Sequence, residues 1–316
     1  MSLWLGRYVR LKNFLYKTKP VDFTKTLRCG NNILIHPVME PGREIFSFPT
    51  IETIVKHKKK AKVELLIDEK LKFFFNDMPA QKIYYRDFTS SFSSSYKRLK
   101  EKLKEKKYDI FVELNRFTDE KMILFGSAVG SKIRMSLDGV MESPIFNMVI
   151  TSAKAHNDIE RNNLILQPLG INRARTKINW GKHSISKRQK RKIGIAIDNN
   201  KIALKTFSFL KERNFYPVLF VKETRRFERM KQRIGDSLLS IYPLEKLYEE
   251  CILCESIISS VNLVSSIGAL LKKKMLVLLE GKEEFYPLIN RHIELFSPDG
   301  SPNEFYPKIK DFIGGK

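Results

Sequence analysis

One feature restricts the fold of this chain more than any other. From Asn32 onward, short apolar runs alternate with helix-length amphipathic stretches, and the alternation runs through twice, once on each side of a basic segment. That is the pattern of βα units built around a parallel sheet. In the first half it predicts strands at 33–35, 63–67, 83–85, 109–114 and 132–136, with helices at 44–57, 94–106, 122–129 and 159–169. In the second half it predicts strands at 193–197, 218–221, 238–241, 256–260, 275–279 and 293–296. Helices are predicted there at 203–213, 224–234, 244–251, 263–271 and 305–313. The expected architecture is therefore two doubly wound α/β domains, residues 32–171 and 193–316, with an extension 1–31 ahead of them. Ligands of such domains are expected at the carboxyl ends of the strands, in a cleft faced by both.

The segment 172–192 between the halves holds nine cations (Arg173, Arg175, Lys177, Lys182, Lys187, Arg188, Lys190, Arg191 and Lys192), no acid and no sustained apolar period. It reads as a linker. Its charge is either simply solvated or a site for phosphorylated lipid headgroups. Over the whole chain, 58 Lys and Arg stand against 35 Asp and Glu, a net charge of +23. So large an excess points to an anionic partner: nucleic acid, an anionic membrane surface, or a phosphorylated small substrate or glycolipid. With 42% hydrophobic residues in 316, the chain has material for two cores, which excludes a disordered tail protein and a disulfide-held mini-protein.

Before the first acid, Asp22, the chain carries Arg7, Arg10, Lys12, Lys17 and Lys19, while Trp4, Tyr8, Leu11 and Leu15 recur on one helical face. Residues 1–21 thus read as a basic amphipathic helix. It either lies on an anionic membrane surface or packs against the body of the protein, because both need the same pattern. Its cations interrupt any apolar core, so it is not expected to be a signal peptide. The longest uncharged run, 256–271, contains five Ser, one Asn and one Gly in sixteen residues and is not a membrane span. The three cysteines, Cys29, Cys251 and Cys254, are too few and too isolated from His for a zinc site or a disulfide framework, and indicate a reducing cytoplasm.

Local motifs narrow the function. The stretch 32–51 (NILIHPVMEPGREIFSFPTI) resembles the first strand, Gly-Asp turn and Leu-Pro helix of the heptosyltransferases of glycosyltransferase family nine. Residues 108–114 (YDIFVEL), followed by 124–134 (LFGSAVGSKIR), are similar to the family's next strand and its Ala-Gly-Ala-Lys-Arg-like turn. His156-Asn-Asp-Ile-Glu160-Arg161-Asn162 with Leu169-Gly170-Ile171 looks like the family's His-x-x-x-Glu-Arg-Asn helix. Residues 260–271, running into 275–281, resemble its Asp-Thr-Gly-x-x-His-Leu-Ala helix and the strand beyond. The matches are collinear from Asn32 to the C-terminus.

The resemblance implies a GT-B architecture and transfer of a sugar from an ADP-heptose-like nucleotide sugar to the lipopolysaccharide core or a related lipid-linked glycan. It implies no metal and no further cofactor, a cytoplasmic protein, and peripheral attachment to the inner membrane if residues 1–21 bind anionic lipid. A specific nucleic-acid partner is not expected, since the chain shows no recognisable nucleic-acid module. The family's general base follows Gly42, and here that position is Arg43, which cannot accept a proton. Glu40, Glu44 and His36 are the groups that could replace it. The family's donor-binding motif falls on Asn262, Leu263, Val264, Ser265, Ser266 and Ile267, so its side chains are all changed. The amides of a helix start there can still face a phosphate. Asn199 and Lys201, in the turn after the second domain's first strand, are further candidates for the donor. Glu223 is a candidate for its ribose or is a helix-start acid, and His156 with Glu160 either lines a cleft or clamps a helix. With so many substitutions, a non-catalytic relative that binds a glycolipid, a nucleotide or a partner enzyme is the alternative function.

Overall fold

The computed structural model describes residues 21–40, 42–86, 93–115, 126, 129–138, 145–153, 155, 157–172, 191–222, 227–279, 292–297 and 305–314. The predicted helix over 1–21, nearly all of the basic linker, His156, Glu223 and most of the helix over 122–129 lie outside them. The chain divides into two compact units: Met1–Glu40 with Phe46–Asn179, and Pro41–Ile45 with Trp180–Lys316.

The first unit begins with α1 (Phe23–Cys29), whose N-terminus is capped when Asp22 accepts the Lys25 N–H at 2.9 Å. Its strands are β1 (Asn32–His36), β2 (Lys62–Asp68), β3 (Gln81–Tyr85), β4 (Ile110–Glu113), β5 (Ile133–Leu137) and β6 (Met148–Ile150). They pair in parallel in the order β3-β2-β1-β4-β5-β6. Its further helices are α2 (Phe48–His57), α3 (Lys72–Phe75), α4 (Ser94–Glu105) and α5 (Asp158–Asn163). The α4 helix shows why so lysine-rich a segment folds: Tyr96, Leu99 and Leu103 form one buried stripe while the cations face water. Ser93 caps it by accepting the Tyr96 N–H at 3.3 Å.

The second unit repeats the plan. Its strands are β7 (Lys192–Ala196), β8 (Tyr216–Val221), β9 (Leu238–Ser240), β10 (Ser256–Ser260), β11 (Lys274–Leu278) and β12 (Ile293–Phe296). They are again parallel, in the order β12-β11-β10-β7-β8-β9. The helices are α6 (Asn200–Lys211), α7 (Phe227–Ile234), α8 (Leu244–Leu253), α9 (Leu263–Leu270) and α10 (Phe305–Gly314). Numbered within its own unit, each sheet runs 3-2-1-4-5-6, so chain direction across the sheet reverses between β1 and β4 in one and between β7 and β10 in the other. In open α/β sheets the crevice at the carboxyl ends of such a strand pair is where ligands bind.

The central strands are apolar and buried on both faces: Ile33, Leu34 and Ile35 of β1, Phe111 and Val112 of β4, and Ile257 and Ile258 of β10 are inaccessible. The structure differs from the expectation at the margins. The predicted helix over 44–57 opens as a 3-10 turn, Glu44–Ser47, and becomes α-helical at Phe48, where Pro49 occupies the first turn. Strand β6, three half-buried residues too short to show a period, lies outside the expected pattern. Cys251 and Cys254 are free and buried. Desolvation pushes the Cys254 thiol up to about 12 and the Cys251 thiol well above its ordinary value, so neither is a poised nucleophile. No helix among the described residues is long and apolar enough to cross a membrane.

Candidate functional site

At the first unit's switch point, His36 ends β1 directly opposite Glu113, which ends β4. Both are buried. The His36 Nδ1 lies 3.0 and 2.9 Å from the two Glu113 carboxylate oxygens; an ionised carboxylate only accepts, so Nδ1 carries the proton. On the other side of the ring, Nε2 is 3.2 Å from the Tyr85 hydroxyl at the end of β3. Asn115 completes the cluster. Its backbone N–H and its side-chain amide both donate to Glu113 Oε1, at 3.0 and 2.6 Å.

The same Asn115 side chain grips the segment leaving β1 by its backbone. Its amide donates to the Pro37 carbonyl at 2.8 Å, and its oxygen accepts the Met39 N–H at 2.7 Å. Behind it, the buried Arg161 guanidinium donates to the Leu114 carbonyl at 3.0 Å and the Asn115 carbonyl at 3.4 Å, and lies 3.5 Å from Asp138. These buried bonds fix the path of the chain up to Glu40. Glu40 itself is half-buried. Asn157 caps α5: its side-chain oxygen accepts the Glu160 N–H at 2.9 Å and its amide donates to the Glu160 carboxylate at 3.0 Å, so Glu160 serves the helix that carries Arg161.

The second unit's switch point gathers other candidates. Asn262 caps α9: its side-chain oxygen accepts the Val264 and Ser265 N–H groups at 3.0 and 3.4 Å. Its amide donates to the Ala196 carbonyl at 2.7 Å and to Asp198 at 3.1 Å, tying α9 to the end of β7. Ser265 returns the bond by accepting the Asn262 N–H at 3.0 Å, a capping box. Thus two amides that could meet a phosphate are held by Asn262. Asn199 caps α6 through the Lys201 and Ile202 amides at 3.1 and 3.2 Å, leaving the Lys201 side chain exposed. Leu263, Val264 and Ser265 are buried in the first turn of α9.

The turn Pro41–Ile45 belongs to this second unit. Glu44 is fully buried, and its Oε2 accepts from the Gly42 N–H and from the Ser266 hydroxyl, each at 3.0 Å. Gly42 has φ +87°, and a Cβ there would lie 2.6 Å from the Asn262 nitrogen. Only glycine allows this approach. Gly42→Ala is therefore expected to cost about 2 kcal/mol and to lift the turn from α9. Chemical denaturation checks this, and an unchanged midpoint would show that the turn does not pack here. Arg43 is 7% exposed.

So the structure brings Gly42 and Glu44 together with Asn262, Ser265 and Ser266, and sets Asn199 and Lys201 at the head of α6. Sequence reasoning passed over Glu113, Asn115 and Tyr85. One signal was present: an acid closing an apolar strand, matched by a histidine closing another.

No protein-family model matches the chain, and no curated protein matches it by sequence. Solved structures do. A family 9 glycosyl transferase from Veillonella parvula aligns over 90% of this chain and 89% of its own, with TM-score 0.66 and 14% identity. The ADP-heptose lps heptosyltransferase II of E. coli covers 90% and 98%, with TM-score 0.63 and 14% identity. E. coli heptosyltransferase WaaC, solved with ADP, covers 89% and 99%, with TM-score 0.65 and 13% identity. The chain has the heptosyltransferase-like, two-domain α/β fold of these GT-B family-nine glycosyltransferases.

Proposed function

We propose that this protein is a glycosyltransferase that moves a sugar from an ADP-linked, heptose-like donor to the lipopolysaccharide core or a related lipid-linked glycan, without metal or other cofactor, at the cytoplasmic face of the inner membrane. The observation that carries the reading is the likeness to heptosyltransferases over nine-tenths of the chain, one of them solved with ADP. Fold alone does not assign chemistry. The polar residues at both strand-reversal points supply the rest of the support.

In the reaction, an acceptor hydroxyl attacks the anomeric carbon, the bond from that carbon to the diphosphate breaks, and ADP leaves with the electron pair. The hydroxyl proton needs an acceptor. Arg43 cannot serve, and Glu44 is enclosed by the Gly42 amide and the Ser266 hydroxyl. His36 has its Nδ1 against Glu113 and its Nε2 against Tyr85. Glu40 is the carboxylate with solvent access, on a segment held by Asn115, and we assign it the base role. Arg43 and Lys201 are the cations assigned to the leaving diphosphate. Glu223 is retained as a candidate for the donor ribose.

A second reading, a relative that binds without catalysing, is favoured by one observation: the Val264 and Ser265 amides are taken by Asn262. Calorimetric titration with ADP, UDP and GDP tests the donor assignment that both transferase and nucleotide-binding forms share. ADP is expected to bind at least about tenfold more tightly than the other two, because a pocket shaped for one base discriminates and bulk positive charge does not. Equal affinities for all three would overturn it.

A further inference from the structure

The amino ends of the first unit's strands, the sheet edge opposite the His36–Glu113 cluster, carry a band of cations with a groove beside it. The turn before β2 contributes Lys58, Lys59 and Lys60, and β2 opens on Lys62. The turn before β4 adds Lys106 and Lys107, and Lys132 precedes β5. Backbone bonds set these turns side by side: Lys62 donates to the Asn31 carbonyl at 2.6 Å, Asp109 to that of Asn32 at 2.9 Å, and Ile133 to that of Asp109 at 3.0 Å.

Two acids within the band are already answered. Glu64 is buried and holds Lys106 at 2.5 Å and the Tyr108 hydroxyl; burial opposes its charge, but these hydrogen bonds outweigh burial and keep its carboxyl below the ordinary value. Asp109 holds Lys132 at 2.7 Å and two backbone amides. By contrast, Lys59, Lys60 and Lys107 are exposed and make no ion pair among the described residues. Next to them lies a groove of about 540 Å³ lined by Lys59 and by Val55, Met78 and Pro79; of its other lysines, Lys82 donates to the Asn76 and Met78 carbonyls at 3.1 and 2.6 Å and Lys62 lies 3.5 Å from Glu64. Exposed ammonium groups beside apolar side chains match a phospholipid, whose phosphate is anionic and whose first methylenes are not.

The chain's own N-terminal sequence points the same way. The Lys58 ammonium donates to the carbonyls of Leu27 and Arg28, both at 2.9 Å, so the end of α1 is fixed to this band. Helix α1 follows directly on the basic sequence 1–21, and its Phe23 is one of two large apolar side chains exposed among the described residues. We propose that the lysine band at the amino ends of β2, β4 and β5 is a docking surface for an anionic lipid bilayer. The choice of lipid rests on the reading of the protein as a transferase with a lipid-linked acceptor.

The experiment compares two full-length variants with equal change in net charge: Lys59→Glu/Lys60→Glu/Lys107→Glu in the band, and Lys205→Glu/Lys211→Glu/Lys246→Glu on exposed positions of the second unit. Binding to phosphatidylcholine vesicles with and without phosphatidylglycerol is measured by co-sedimentation, with circular dichroism as the folding check. The parent is expected to bind only the anionic vesicles. The band variant is expected to bind them on the order of a hundredfold more weakly, from a factor of about five per lysine, and the control variant nearly as well as the parent. Equal losses in both variants, or no loss in the band variant, would overturn the proposal. So would a band variant that keeps its vesicle binding but loses binding to single-stranded nucleic acid at physiological ionic strength. No donor or turnover enters the readout, so the transferase assignment can fail while the docking surface stands, and the reverse.

Discussion

Glu113→Ala is expected to cost the protein about 3–5 kcal/mol, because it leaves three buried donors without their acceptor at about 1–3 kcal/mol each. The carboxylate accepts from His36 Nδ1 and from two N–H groups of Asn115, and none of these donors reaches water when it is gone. Asn115 then loses the group that orients it, and with it the grip on Pro37 and Met39. Glu113→Gln keeps an acceptor oxygen and should cost much less. Denaturant unfolding of the three proteins, followed by fluorescence and circular dichroism, checks this. A loss under about 1 kcal/mol for Glu113→Ala would mean that the cluster is open to solvent.

Much of the architecture was legible because it rests on local composition. Strands such as Ile193–Gly–Ile–Ala–Ile197 or Met275–Leu–Val–Leu–Leu279 are buried on both faces and therefore read as unbroken apolar runs. Met148–Ile150 escaped notice because it is a half-buried edge strand of three residues, too short to show a period. The apolar period starts α6 only at 203, three residues late, because the cap at Asn199 is a hydrogen bond and leaves no hydrophobic mark.

The candidate site was legible in part for a related reason. Gly42, Glu44 and Asn262 came to attention through motif resemblance, and the contacts among them join residues 222 apart in sequence at their furthest. The His36–Glu113–Asn115 cluster had no such motif. It exists because the chain crosses from β3 to β4 on the far side of β1, which puts residues 77 apart in register. No window of the sequence contains that crossing. A buried acid ending an apolar strand was the one available sign, since an isolated charge there needs a partner.

Glu40→Gln is the substitution expected to change activity most. If Glu40 takes the acceptor proton, its amide cannot, and loss of a general base lowers turnover by about a hundredfold to ten-thousandfold. Substrate binding should change little, since the amide preserves shape, so the effect belongs in kcat. Glu44→Gln acts differently. Its carboxylate bonds the Gly42 amide and the Ser266 hydroxyl, so its replacement should loosen the turn and lower stability before it touches chemistry. Asn262→Ala should retain more activity than either, losing a helix cap worth about 1 kcal/mol while releasing the Val264 and Ser265 amides toward the donor diphosphate.

The most direct test is turnover itself. The parent and Glu40→Gln would be incubated with ADP-heptose and a lipid-linked glycan acceptor, with ADP release followed continuously and the product identified by mass. Slow, acceptor-dependent release of ADP by the parent is expected, with the sugar found on the acceptor, and a fall of about a hundredfold or more in Glu40→Gln. Release by Glu40→Gln equal to that of the parent, or no transfer by the parent above the protein-free rate, would contradict it.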